Sequence, residues 1–178
     1  MHQRVVMSHI EVRKFNESEW ELYRSLRLES LRDSPDSFGS TLERESCFSD
    51  QEWAKRLITS NESTQILPLV AFFKKRPVGL AWGVLHETGS NEGHIYQMWV
   101  SPETRGLGLA KALLSRVVLW GNSVQLRRLV LAVTTTNPDA IAMYRSFGFR
   151  SLGGTEALRE GSKLTVQPMK LDLVASNA

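Results

Sequence analysis

The chain has 178 residues, 42% of them hydrophobic, and a formal net charge of +3 at pH 7. This length usually makes one domain with a sizeable core. No apolar run is long enough to span a bilayer, and a single cysteine, Cys47, excludes a disulfide framework and a cysteine-based zinc site. We therefore expect one domain over residues 1–178, with residues 1–8 a flexible extension, in a cytoplasmic protein without a bound metal or a membrane partner.

The basic residues are spread along the chain. The clusters at residues 74–76 and 127–128 have no aromatic residues interleaved, which favours solvated turns or helix ends over nucleic-acid contacts. We expect no nucleic-acid partner. A site for an anionic ligand would explain the slight positive balance equally well.

Apolar periodicity predicts the secondary structure in chain order. In the first hundred residues it predicts a strand at 9–15, helices at 17–31 and 43–60, and strands at 66–73, 78–86 and 95–100. Beyond them it predicts helices at 107–120 and 137–147, and strands at 129–133, 149–152 and 163–173. This order predicts an α/β fold with a mixed sheet and helices on both faces.

A glycine-containing loop at residues 101–108 follows the strand at 95–100 and opens directly into a helix. Gly106 and Gly108 let the backbone approach a ligand closely, and the first amides of the helix have no partner within it. Such a helix start binds phosphate, and Arg105 adds positive charge. The alternative is a tight turn with no ligand.

Two common phosphate-binding patterns do not fit. A dinucleotide-binding fingerprint needs an acidic residue at the end of the next strand, and residues 127–133 contain none. A P-loop needs Lys-Ser or Lys-Thr after its glycines, and Leu109-Ala110 stands there instead.

Two segments together resemble a known family. Arg105-x-x-Gly108-x-Ala110 after a strand is similar to the signature loop of the GNAT superfamily, and the segment from Asn137 to Phe149 resembles its second characteristic segment. They cover about a third of the chain. The resemblance implies the GNAT fold, a central mixed, mostly antiparallel sheet flanked by helices on both faces. It also implies an acyl-CoA-dependent N-acyltransferase that uses acetyl-CoA as co-substrate.

The resemblance assigns the cofactor to particular residues. Loop amides would bind the pyrophosphate, the preceding strand would pair with the pantetheine arm through free backbone groups, and Asn137 would hydrogen-bond that arm. In this sequence the loop is Arg105, Gly106, Leu107, Gly108, Leu109, Ala110 and Lys111, and the strand residues are Met98, Trp99 and Val100. Asn137 is also a good helix N-cap, and the two roles are compatible.

Tyr144 stands where family members carry a tyrosine near the cofactor sulfur. It would protonate the leaving thiolate, although a packed aromatic on the helix face of Ala140 and Phe147 is the alternative. A backbone N–H of Met98 or Val100 would polarise the acyl carbonyl. Cys47, far in sequence from both motifs, is expected to be a half-buried structural residue of the second helix.

The sequence indicates the general base less clearly than the other catalytic groups. Near the start of the strand stand Glu92, His94 and Tyr96. His94 is the first choice because its ordinary pKa suits proton transfer at neutral pH, and Glu92 is the second. Strand alternation would put His94 and Tyr96 on one face with Met98, unless a bulge intervenes.

The expected reaction moves an acetyl group directly to a primary amine of a small molecule or an amino acid. Asp33 and Asp36 are candidates to attract the amine, and Phe38 and Trp53 to wall its pocket. A protein or peptide N-terminal or lysine acetyltransferase is the second hypothesis, less favoured because Ala132 stands where such relatives often carry glutamate. A non-catalytic acyl-CoA-binding module is the third, and the resemblance also allows a homodimer.

Overall fold

The computed structural model describes residues 9–62, 65–87 and 89–173. The expected extension at residues 1–8 lies outside the described residues. The helices are α1 Trp20–Asp33, α2 Leu42–Ser46, α3 Asp50–Glu62, α4 Leu109–Ser123 and α5 Pro138–Phe147. The strands are β1 Ile10–Lys14, β2 Ile66–Phe73, β3 Arg76–Val84, β4 Glu92–Val100, β5 Arg128–Thr134, β6 Arg150–Ser151, β7 Glu156–Ala157 and β8 Thr165–Asp172.

The strands form one eight-stranded sheet in the order β1-β2-β3-β4-β5-β8-β6, with β7 paired to β8. Strands β4 and β5 are parallel, and the other pairings among the described residues are antiparallel. The predicted fold class, a mostly antiparallel mixed sheet with helices on both faces, is confirmed. No helix in the described part of the chain is both long and apolar enough to cross a membrane.

The sheet has a buried core on each face. On one face α4 and α5 cover a cluster that includes Leu113, Val117 and Tyr144. On the other, α1 and α3 cover an aromatic cluster that includes Tyr23 and Trp53. Periodic apolar residues on α1 and α4 account for both layers, because only such a stripe can face a sheet along its whole length.

The prediction of one helix over residues 43–60 is wrong, because the chain turns between α2 and α3. Ser49 starts α3: its N–H donates to the Glu52 carboxylate (2.6 Å), and its hydroxyl accepts from the Glu52 N–H (3.2 Å). Reciprocal bonds of this kind start a new helix. Cys47 therefore lies in the turn and is exposed rather than half-buried.

A bulge in β4 changes which residues share a face. Between the pairs Leu80–Trp99 and Trp82–Tyr96, one residue of β3 faces two of β4, Gln97 and Met98, and Gln97 has a φ of 54°. The extra residue reverses the alternation beyond it. Met98 therefore packs into the α4 core, opposite to the face of Tyr96, and simple alternation was wrong here.

A buried ion pair joins α1 to α2. The Arg27 guanidinium donates to both oxygens of Glu45 (3.0 and 2.7 Å), and the two side chains are only 4% and 5% exposed. Burial raises the pKa of Glu45, but the hydrogen bonds and charge of Arg27 outweigh it and the pKa lies below its ordinary value.

Loss of one partner of this pair should be costly, because the other charge stays buried. We expect Arg27→Met to lower the free energy of unfolding by about 3–5 kcal/mol, and the double change Arg27→Met/Glu45→Met to recover most of that loss. Urea denaturation measures both. The control is Arg24→Met on the same helix, whose pair with Asp50 is exposed and should cost under about 1 kcal/mol. Equal losses at Arg24 and Arg27 would contradict the argument.

Candidate active site

The sheet opens between β4 and β5. The two strands pair only over three residues of each, from Glu92–Arg128 to His94–Val130. Beyond that point the backbone of β4 that faces β5 has no strand partner among the described residues, and this stretch includes the predicted residues Met98, Trp99 and Val100. An unpaired strand edge accepts an extended ligand as an added strand.

The loop after β4 leads into the start of α4. Gly106 and Gly108 have φ values of 79° and 93°, a region that favours glycine. The first helical bond runs from the Ala112 N–H to the Gly108 carbonyl (3.0 Å), so the amides of Leu109, Ala110 and Lys111 have no intrahelical partner. This is the arrangement that the sequence predicted for a phosphate site.

Asp33, at the end of α1, ties this loop to β4. Its Oδ2 accepts from the Trp99 indole N–H (2.9 Å) and from the Arg105 guanidinium (2.5 Å). Arg105 also donates through Nε to the Val100 carbonyl (3.0 Å). Burial raises the pKa of Asp33, but these bonds outweigh it and the pKa lies below its ordinary value. Asp33 therefore positions the loop, rather than facing the amine as expected.

Tyr144 and Asn137 come from α5, on the β5 side of the opening. The Asn137 side chain accepts from the Ala140 N–H (3.1 Å), so the N-cap role is present. The Tyr144 ring packs edge-on against Phe149, and no group in the described part of the chain hydrogen-bonds its hydroxyl. Burial raises the pKa of Tyr144 well above its usual range, so this phenol stays protonated.

Four cavities run along the opening and share lining residues. The loop cavity (350 Å³) is lined by Arg105, Gly106, Gly108, Leu109, Ala110 and Lys111, among others. The strand cavity (300 Å³) shares Val100, Arg105, Ala110 and Met143 with it. The central cavity (580 Å³) shares Met98, Asn137, Ala140 and Tyr144 with the strand cavity. The side cavity (450 Å³) lies under α3 and shares Phe48, Arg56 and Gln97 with the central cavity.

The opening therefore brings together nearly every residue predicted to bind the cofactor. Leu107 is the exception: its side chain is 48% exposed and lines none of the four cavities. Leu109 is buried and contributes only its backbone.

The predicted bases lie where β4 and β5 still pair. Glu92 binds Arg128 (2.5 Å) and His94 (3.2 Å), and neither predicted base lines a described cavity. Tyr96, which lines the central cavity, hydrogen-bonds His86 Nε2 (2.7 Å) and stacks on His94. Burial and the nearby charge of His86 lower the pKa of His94, so its neutral form dominates at pH 7.

Several residues of the central cavity were missed from the sequence. Arg27 and Glu45 line it together, and Arg56 lines both this cavity and the side cavity. One signal for Arg27 was present: it shares the helical stripe of Tyr23, Leu26 and Leu31, where a charged residue requires a buried partner. Across the described residues, no three His, Cys, Asp or Glu side chains are grouped to hold a metal ion.

Comparison with protein families identifies the family of this chain. The model of the acetyltransferase (GNAT) family matches residues 26–149, which contain the loop, the parted strands and Tyr144. The chain belongs to the GNAT acetyltransferase family.

Known proteins agree with this family at the level of the fold. A GNAT acetyltransferase from Streptococcus pneumoniae superposes with a TM-score of 0.78 at 21% identity, covering 93% of this chain and 99% of that one. A GNAT phosphinothricin acetyltransferase from Sinorhizobium meliloti, solved with acetyl-CoA, gives 0.72 at 22% identity, covering 93% and 89%. Mycothiol acetyltransferase of Acidothermus cellulolyticus is 35% identical over 97 residues, which are 52% of this chain and 29% of that protein. This chain thus spans under a third of that relative's length.

The left-handed glycine of the GNAT loop gives a test of the site. In Gly108→Ala a side chain is forced to a φ of 93°, which costs about 1–2 kcal/mol and distorts the start of α4. We expect the dissociation constant for coenzyme A to rise about tenfold, measured by calorimetric titration. The control is Gly153→Ala, which carries similar strain (φ 67°) in open space and lines none of the four cavities. Equal weakening in both variants would contradict a phosphate site here.

Proposed function

We propose that this GNAT protein transfers the acetyl group of acetyl-CoA directly to a primary amine. The observation that carries this proposal is the line of shared cavities from the amides of α4, along the free edge of β4, to Tyr144. A binding module needs the first two features, but it has no need of a protonated phenol facing the cavity.

The loop fits the cofactor in charge and shape. The amides of Leu109, Ala110 and Lys111 converge on a cavity that also contains Arg105, which suits a pyrophosphate. The free edge of β4 at Met98, Trp99 and Val100 would pair with the amide groups of the pantetheine arm, and Asn137 faces it from α5. Acetyl-CoA would supply an acyl thioester to the central cavity.

The chain would then do two things to the reacting atoms. A backbone N–H of Met98 or Val100 would donate to the acyl oxygen, and Tyr144 would give its proton to the departing sulfur. Thiols have pKa values near 8.5 and phenols near 10. Burial favours the neutral form of both the phenol and the thiol. A buried site that contains both groups therefore does not by itself increase the difference between their pKa values.

Removal of the Tyr144 hydroxyl should affect turnover and leave binding intact. For Tyr144→Phe we expect kcat to fall about 10²–10³-fold, because a positioned acid contributes about that much. Thiol release from acetyl-CoA, assayed over a panel of amines, amino acids and short peptides, measures turnover, and calorimetry measures coenzyme A affinity.

Gly108→Ala is the reciprocal control, because it should weaken coenzyme A binding and spare kcat at saturation. If Tyr144→Phe weakened coenzyme A binding as much as turnover, a packing role for the tyrosine would be sufficient. If no acceptor released thiol while coenzyme A bound tightly, the non-catalytic module would be favoured.

We also propose that the proton of the amine leaves through the cluster of Tyr96, His86, His94 and Glu92. Tyr96 is its first member because it lines the central cavity and is hydrogen-bonded to His86. His94, the base predicted from the sequence, stacks on Tyr96 and is held by Glu92. At pH 7 His94 is in its neutral form, which can accept a proton.

The pH dependence tests this assignment. The pKa of His94 is lowered, so its accepting form is lost only as pH falls through a value below about 6.5. We expect kcat/KM to have an acidic limb in that range that disappears in His94→Asn. Tyr96→Phe should lower kcat/KM about tenfold at the plateau. His9→Asn, on the opposite edge of the sheet, is the control. An unchanged acidic limb in His94→Asn would remove His94 from the proton path.

A further inference from the structure

The side cavity lies beyond the reacting centre on the side opposite to the phosphate loop. It joins the central cavity at Phe48, Arg56 and Gln97, and it shares no lining residue with the loop cavity. A cofactor that enters along β4 therefore leaves this space to the acceptor. The identity of the acceptor is constrained by what the central and side cavities present.

The carboxylates in these two cavities are already engaged or lie at their margins. Glu45 is held by Arg27. Glu52 accepts from the Ser49 N–H at the start of α3. Glu156 is exposed on the short strand β7. Asp33 is bound to Arg105. Among the described residues, these cavities therefore offer a polycation no buried carboxylate that lacks a partner.

Positive charge also lines these cavities, and the charge of Arg56 contributes to the lowered pKa of Glu45 and of Glu52. Arg44 and Arg56 line the central cavity, and Arg56 stands at its junction with the side cavity. The Arg56 guanidinium lies 4.3 Å above the ring of Phe48 and 5.7 Å from that of Trp53, which holds it in place. A planar, positioned guanidinium is the group that proteins use to bind carboxylate.

The side cavity itself is apolar. Its walls include Tyr23, Phe48, Ile66 and Trp82. Two directed donors belong to these walls. The Tyr23 hydroxyl donates to Gln97 (3.2 Å), whereas the buried Trp82 indole N–H has no hydrogen-bond partner within the described residues.

We propose that the acceptor is a primary amine that carries a carboxylate and an apolar body, as an apolar amino acid does. Arg56, with Arg44, binds the carboxylate; the side cavity holds the apolar part; the amine faces Tyr144 and the acyl group. This assignment rests on the proposed acetyl transfer, because it names the acceptor of that reaction.

The test compares acceptors that differ only in the carboxylate. L-leucine is paired with 3-methylbutylamine, and L-phenylalanine with 2-phenylethylamine, with rates corrected for the unprotonated fraction of each amine. We expect the carboxylate-bearing member to have a kcat/KM at least about tenfold higher, as suits a charge-assisted contact. Spermidine should be a poor acceptor. Equal rates within each pair would overturn the proposal while leaving acetyl transfer intact.

Two variants test whether Arg56 makes the proposed contact with the acceptor's carboxylate. Arg56→Gln should raise KM for leucine about tenfold or more, with little change in kcat and little effect on 3-methylbutylamine. Arg116→Gln, on the exposed face of α4 and outside the four cavities, is the matched control. An equal loss on both acceptors in Arg56→Gln would assign the arginine a structural role and contradict the proposal.

A binding measurement tests the proposed carboxylate subsite even if no acceptor is turned over. In the presence of coenzyme A, leucine should raise the melting temperature of the protein, and this rise should vanish in Arg56→Gln. Leucine stabilisation without thiol release from any acceptor would support the subsite and count against the proposed reaction. Stabilisation by 3-methylbutylamine alone would overturn the subsite.

Discussion

The parting of β4 from β5 is the constraint on which the rest of the site depends. Parallel strands that continued to pair would bury the backbone of both and close the sheet. Here the pairing ends at His94–Val130, and the bulge at Gln97 follows three residues later in β4. Unpaired backbone in a cleft is costly unless something satisfies it. This cost is what makes the opening a place for an extended, amide-bearing ligand.

The carboxylate of Asp33 holds the end of β4 and the loop that follows it in a fixed arrangement. Asp33 accepts from Trp99 on β4 and from Arg105 on the loop, while it belongs to α1. The same helix presents Tyr23 to the side cavity and Arg27 to the central cavity. The helix α1 therefore contacts both the loop that we propose for the cofactor and the cavities that we propose for the acceptor.

The parts of the fold that could be predicted are those encoded over short distances. The glycines at 106 and 108, the helix that follows, and the Asn137 cap all depend on neighbours within a few residues, so their patterns were sufficient. The family resemblance added the mostly antiparallel arrangement of the sheet and the expected role of Tyr144, which no periodicity contains.

What could not be predicted depends on contacts between distant segments. The bond from Trp99 to Asp33 spans 66 residues, and that from Arg105 spans 72. From the sequence Asp33 was a candidate to attract the amine, because nothing local reveals a partner so far along the chain. The bulge at Gln97 could not be predicted for the same reason. The alternation of side chains between the two faces can be predicted from one strand alone, whereas a bulge depends on how β3 pairs with β4. The break between α2 and α3 was readable in principle from Ser49 and Glu52, and the apolar pattern around Trp53 obscured it.

Different stretches of the chain line the side cavity and the loop cavity, and this separation affects how the choice of substrate can evolve. The walls of the side cavity come mostly from residues 23–66, whereas the loop, the cap and the phenol come from residues 98–144. Mutations in the first stretch can remodel what is recognised without disturbing the machinery in the second. Asp33 joins the two stretches, so substitutions in the first stretch can change substrate choice only where they preserve Asp33, the buried Arg27–Glu45 pair and the core residues around Tyr23 and Trp53.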